Sequence, residues 1–430
     1  MLPRTLPRAT SRICPATRGE AQPSVCRFAK LPTRQWQSAH QQPLGRRHAS
    51  SLRKGFQEQL RRSPILFPFA IGAIAVVSGI LIFYVPWYYR TIIIKPYHNF
   101  PEPVAKKLRR ALFYSRGNFL DIREANKYFR QALALADELG MDPFSDEIMG
   151  VKYSIAALFE DAGYYSLAID VLEIMRTDCQ RWVDEFSDKH WNDGNRSRVK
   201  KNMVQINLKL GELYDVKYVN EPENGEKRLV EAVESALGEK QRREKEGLKT
   251  GEGPWLSDEE MGGTLEALGT HYEQFDSHYL ATPLFVKALE FVPKNSCHSV
   301  VLMNNVSTCL VQQSPTSTQN SITMSPSPSD FPVTSPAPRT MLIDQARRWA
   351  QKALAHAETI QPPDRNEECD VGCAVATHNL GEFLEMEGKI SEARSLYEEA
   401  RRLSKKVGFK EGEGNAKAGL KRCLEAEKRK

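Results

Sequence analysis

The feature that most constrains this chain is a spaced pattern that it repeats. Leu268, Gly269 and Tyr272, then Ala281, Phe285 and Ala288, then Pro293, recur as Leu380, Gly381, Leu384, Gly388, Ala393, Tyr397 and Ala400. Ile155, Ala156, Phe159, Gly163, Ala168, Leu172 and Met175 form a looser copy. Side chains three and four positions apart share one face of a helix, so each copy reads as two short amphipathic helices. In the first helix, Gly269 and Gly381 are expected where the second helix crosses closely and leaves no room for a side chain. In the second, a small–large–small stripe lets one aromatic ring fill the groove between the pair. Pro293 is expected to end its helix, because it has no N–H and clashes with the preceding turn. A hairpin of this kind cannot bury its apolar faces alone, whereas a stack of them can. The pattern predicts an all-α array of stacked hairpins.

The spacing resembles the tetratricopeptide (TPR) repeat. Weaker copies extend it. Ala125, Phe129 and Ala132 read as a second helix after Leu108–Tyr114, and Leu210, Gly211 and Tyr214 as a first helix. The partner of that first helix is Gly225, Leu229 and Ala232, displaced by a short insertion around Pro222. Val306, Ser307 and Leu310 open another copy, completed by Ala346, Ala350 and Ala353. The alanine-to-alanine step is far from uniform, which predicts an irregular solenoid of about six repeats over residues 97–430. Residues 314–338, rich in Ser, Thr and Pro, read as a disordered loop inside one repeat, with a linker between two domains as the alternative. Residues 238–253 read as a charged connection, the mixed run 240–245 as a solvated helix face, and 415–430 as a polar capping helix.

Residues 63–89 contain no charged side chain. Their core, 65–85, is long enough to cross a bilayer of ~30 Å at ~1.5 Å per residue. Trp87, Tyr88 and Tyr89 follow it like an interfacial aromatic belt. The first 62 residues carry 11 Arg and 2 Lys against only Glu20 and Glu58, the composition of a disordered mitochondrial presequence. Cleavage is expected near residues 46–51. Arg53, Lys54, Arg61 and Arg62 outweigh Arg90 and Lys95, which by the positive-inside rule places the N-terminus in the matrix and the array in the intermembrane space. Beyond the leader the chain holds 47 of its 60 basic residues and 52 of its 54 acidic ones, so the positive excess lies wholly in the leader, the remainder is slightly negative, and no nucleic-acid partner is implied.

Chemistry is hard to find. No phosphate-binding loop, nucleophile elbow or zinc-protease motif occurs, and 251–253 is a lone Gly-x-Gly in a polar loop. His271 and His278 are seven apart with no third ligand nearby and read as packing or exposed residues. No catalytic residue, cofactor or metal is expected. Cys369 and Cys373, four apart, read by default as small buried side chains, with a disulfide to a distant cysteine as the alternative. Asn195 and Asn305 open glycosylation sequons that matter only on a secretory route.

TPR arrays bind peptides along the face lined by their first helices. Gln205, Lys209, Glu266, Thr270, Asn305 and Asn379 are the groove candidates by helix-face position. The Lys and second Asn of a carboxylate clamp for chaperone tails are not evident, which disfavours that role. Presequence, single span and C-terminal array together resemble the fungal TPR-containing adaptor of the mitochondrial i-AAA protease, most of all in residues 97–111 (YHNFPEPVAKKLRRA) and 262–293. The resemblance implies a non-enzymatic protein of the mitochondrial inner membrane. It implies association with the AAA protease and a second membrane subunit, and delivery of unfolded or misassembled proteins for degradation. A respiratory-complex assembly factor shares the same topology, and an outer-membrane import receptor is a further alternative.

Overall fold

The computed structural model describes residues 56–94, 99–313 and 338–429. Among them all regular structure is helical. They fall into two compact units, divided after Tyr89.

The first unit is dominated by one apolar helix, α1, Leu66–Thr91, which runs two residues past the unit's end and whose most apolar 18-residue stretch has a mean hydropathy of 2.5 with none of it buried. It is the one described helix long and apolar enough to cross a membrane. It opens into a wide π-type turn over Ile80–Tyr84, where the Val85 N–H bonds to the Ile80 carbonyl. Pro86 explains this, because it cannot donate and forces the ladder to shift. Residues 56–62, counted above with the disordered leader, are helical instead. The rest of the leader, with its basic residues up to Lys54 and the expected cleavage region, lies outside the described residues.

The second unit is a TPR-like helical solenoid of six hairpins and a closing helix. The hairpins are α2 (Glu102–Tyr114) with α3 (Ile122–Glu138), α4 (Asp146–Asp161) with α5 (Tyr165–Phe186), and α6 (Asn195–Asp215) with α7 (Pro222–Glu246). They continue as α8 (Asp258–Gln274) with α9 (His278–Ala288), α10 (His298–Gln312) with α11 (Arg339–Thr359), and α12 (Glu367–Met386) with α13 (Ile390–Val407). The closing helix α14 runs over Lys410–Arg429, starting five residues before the expected cap. Local chemistry sets the helix starts. Ser145 Oγ accepts from the Ile148 N–H, Ser257 and Glu260 form a reciprocal capping box, and Asn366 accepts from Glu368 and Cys369. Gly163 and Gly388, both at φ +77°, end first helices in the left-handed conformation that glycine adopts without strain.

The repeat residues meet as their spacing requires. A Cβ on Gly269 would lie 2.9 Å from the Phe285 ring, and one on Gly381 3.1 Å from Tyr397. Gly211 faces Leu229 in the same way, with 2.4 Å to Leu229 Cγ. Ala281, Phe285, Ala288, Ala393, Tyr397, Ala400, Ala168 and Leu210 are completely or almost completely buried. Ile155, Ala156 and Leu268 are buried beside them, while Leu380 packs half-buried against the same core. The aromatic hydroxyls are satisfied by carboxylates: Tyr214 donates to Glu173, Tyr272 to Glu226 and Tyr397 to Glu385.

Several expectations are corrected. Helix α9 stops at Ala288, and the chain leaves it through i→i+3 turns, so Pro293 lies in the connection rather than at the helix end. The stretch expected as a connection from residue 238 is helical through Glu246, because it continues the packed face of α7. Its charged run is not simply solvated. Arg242 and Arg243 turn inward onto Glu239 and Glu252, whose side chains are 3 % and 1 % exposed. Of the cysteines expected as free buried thiols, Cys369 is instead bonded to the distant Cys297, the alternative reading, while Cys373 stays reduced. The Ser/Pro-rich segment lies outside the described residues, apart from Pro338, which precedes α11.

Candidate functional site

First helices face one another along one side of the solenoid, and between α4 and α6 they stand apart over an open trough. At one end a cavity of about 560 Å³ is lined by Gly150 and Tyr153 of α4, by Arg198, Asn202 and Gln205 of α6, and by Gly194, Gly253 and Pro254 from two loops. Tyr153 and Gln205 also line a second cavity of about 350 Å³. That cavity has Leu172 of α5, Ala156 and Ala157 as its apolar part and Glu160 with Lys209 at its edge. The shared residues make the two one channel, polar at one end and apolar along its middle.

The walls are held by named contacts. The Tyr153 hydroxyl donates to the Asn202 carbonyl across the channel at 3.3 Å, and burial pushes its ionisation up. Lys209 Nζ bonds Glu160 at 2.9 Å across the far end and Glu212 at 2.9 Å on its own helix. Burial opposes charge on Lys209, but these carboxylates prevail and hold its pKa above the ordinary lysine value. Two donors in the walls have no partner within the protein: the buried Asn202 Nδ2 and Arg198 Nε. A buried N–H without an acceptor costs about 1–3 kcal/mol.

The rim is rigid because two loops interlock. Gly251, at φ +79°, passes Asn192 so closely that a Cβ would meet its carbonyl oxygen at 2.2 Å. Arg196, 6 % exposed, bonds Glu239 through both Nη atoms at 3.2 and 3.1 Å. Arg196 and Lys249 lie over the Trp191 ring at 3.9 and 3.4 Å. Burial alone would raise the Glu239 pKa, but the bonds from Arg242 and Arg196 overcome it and hold the carboxyl well below the usual range.

Farther along, the first helices close on one another. Asn304 Nδ2 of α10 donates to the Gly372 carbonyl of α12 at 2.9 Å. Glu266 Oε2, His298 and Glu368 form a ladder across α8, α10 and α12, with His298 Nε2 and Nδ1 at 2.7 and 2.8 Å from the two carboxylates. These bonds raise the His298 pKa to about 9.

Of the six groove candidates, Gln205 and Lys209 come together in the open channel. Glu266 is engaged by His298. Asn379 is buried and donates to Thr308 at 3.3 Å, while also lining a separate cavity between α12 and α14. Thr270 and Asn305 are half-buried on their helices, away from the channel. Sequence reasoning missed Tyr153, Arg198 and Asn202. The signal for the last two was present, since 198, 202, 205 and 209 share one face of α6 at three- and four-residue steps. His271 is buried with Nδ1 2.7 Å from Asp215, and no group of three metal-ligating side chains occurs among the described residues.

No protein-family model matches the chain. A TPR repeat-containing protein of Schizosaccharomyces pombe is 28% identical over 320 residues, covering 73% of this chain and 76% of that protein. Among solved structures, BtubC of P. vanneervenii is similar at 15% identity and a TM-score of 0.42, covering 67% of this chain and 91% of that one. The TPR-like repeats of a putative kinesin light chain from Podosopora anserina are similar at 12% identity and a TM-score of 0.38, covering 60% and 96%.

Proposed function

We propose that this TPR-repeat chain is a non-enzymatic, membrane-anchored adaptor that holds extended segments of unfolded proteins in the α4–α6 channel. The observation that carries the reading is the channel itself: two first helices held apart, an apolar floor, and polar side chains at one end. Such a surface suits many sequences weakly. An anchor in α1 would compensate for weak affinity by keeping the groove at a fixed membrane, where local concentration replaces tight binding.

The finer reading follows the leader composition and the arrangement of the chain. The anchor sits in the mitochondrial inner membrane with the N-terminus in the matrix and the solenoid in the intermembrane space. There the protein associates with the membrane-bound AAA protease and a second membrane subunit, and passes unfolded or misassembled proteins to it. The test is co-purification of the C-terminally tagged chain from mitochondria in mild detergent. Near-stoichiometric recovery of the AAA protease is expected. Recovery of one respiratory-complex subunit set without the protease would replace this reading with an assembly factor.

A further inference from the structure

The Cys297–Cys369 disulfide joins the start of α10 to the start of α12 across 72 residues, with the Cα atoms 4.7 Å apart. Its surroundings define how it can have formed. Cys297 is 1 % exposed and Cys369 completely buried, within an apolar cluster of Val300, Met303, Ala353, Ala357 and Ile360. Native contacts flank the bridge on both sides: Asn295 Nδ2 bonds Asp364 at 2.6 Å, and His298 bonds Glu368 at 2.8 Å. Those contacts bring the two sulfurs together only when the fifth and sixth hairpins are stacked, and stacking then seals them from solvent. Cys373, one turn along α12, is the more exposed thiol and is nevertheless the one left reduced. Pairing therefore follows native packing, not accessibility in the folded chain.

Thiol–disulfide exchange needs an attacking thiolate with open access to a donor sulfur. Neither sulfur offers that access in the closed solenoid. We infer that a disulfide donor captures Cys297 or Cys369 as a mixed disulfide before the last two hairpins close, that stacking then brings the second thiolate onto it, and that the solenoid matures in an oxidising compartment supplying that donor. One cysteine thiolate attacks the donor disulfide and expels a donor thiol. The second attacks the mixed disulfide and expels the other. The protein loses two protons and two electrons, and the donor is reduced to its dithiol form or to two thiols. The inference goes beyond the adaptor reading and stands without it, since it uses nothing of the channel. Disulfides persist in oxidising compartments and are rare where thiol pools are reducing.

The test uses the full-length chain in its own cells. Acid quenching is followed by blocking of free thiols, then reduction, then labelling with a maleimide that adds mass. Two thiols are expected to become reactive only after reduction, in wild type and in C309A and C373A, and none in C297A or C369A. A wild-type chain with every thiol reactive before reduction overturns the oxidation step. A bridge that survives in C369A but is lost in C373A overturns the assignment. For the order of events, the reduced full-length chain in detergent is exposed to glutathione disulfide with and without urea sufficient to open the array. Mixed-disulfide formation at Cys297 and Cys369 at least ten times slower without urea is expected, and equal rates overturn capture before closure.

Discussion

Consider the first-helix glycines as a graded series. In Gly211→Ala the new Cβ meets Leu229 Cγ at 2.4 Å and Cδ2 at 2.6 Å. Leu229 is 2 % exposed and sits in the core, so it cannot swing into solvent. Overpacking of this kind costs about 1–3 kcal/mol, against a gain of about 1 kcal/mol from replacing glycine by alanine in a helix. The net expectation is a loss of up to about 2 kcal/mol. Gly269→Ala meets the completely buried Phe285 ring at 2.9–3.1 Å and should lose stability by a smaller margin. Gly263 stands on the same helix as Gly269, exposed, with nothing within 4 Å of its Cβ position. Gly263→Ala should therefore be stabilising by about 0.5–1 kcal/mol. Two identical substitutions six residues apart are thus expected to have opposite signs. The assay is urea unfolding of the solenoid followed by circular dichroism, comparing midpoints at constant slope. If Gly211→Ala and Gly269→Ala raised the midpoint as much as Gly263→Ala, the close helix crossing argued for the repeat would be wrong.

Other consequences are testable in the same preparation. His298 has its pKa raised from 6.5 to about 9, first by its bond to Glu266, so its contribution is complete below pH 6.5 and lost as pH rises through 9. Its side chain is 37 % exposed, and solvent screening holds the effect to about 1 kcal/mol. His298→Asn should flatten stability over that pH window, and an unchanged profile would refute the ladder. Glu239→Ala leaves the buried Arg196 without its main partner and should cost about 3–5 kcal/mol in a thermal melt. A loss below ~1 kcal/mol would mean that the charge is solvated. Gln205→Trp should fill the channel between α4 and α6, abolishing capture of an unfolded reporter while leaving the helical signal intact. Undiminished capture would place client binding elsewhere.

Much of the fold was legible because helical hairpins are local objects. Gly269 with Phe285 and Gly381 with Tyr397 lie 16 residues apart, so one period of the pattern contains both sides of the contact. The pairing of the Val306 helix with the Ala346 helix was readable across the long Ser/Pro-rich segment because the repeat pattern resumes in phase after it. The groove was less legible. Gln205 and Lys209 could be placed on the right face of α6, but whether that face looks onto a channel or a closed helix contact depends on the neighbouring repeat. Asn379 satisfies the same face rule and is spent on Thr308, because α10 and α12 pack directly where α4 and α6 stand apart.

By itself, then, the sequence determined the class of fold, the hairpin partners and the apolar span, since periodicity and steric complementarity act over a few turns of chain. Only the tertiary structure decided which cysteine meets Cys369, why Arg242 and Arg243 turn inward, and where the first helices part. Those outcomes depend on distances between residues tens of positions apart, set by how each hairpin stacks on the next. No spacing within one repeat encodes that angle; it emerges from the packing of both neighbours at once.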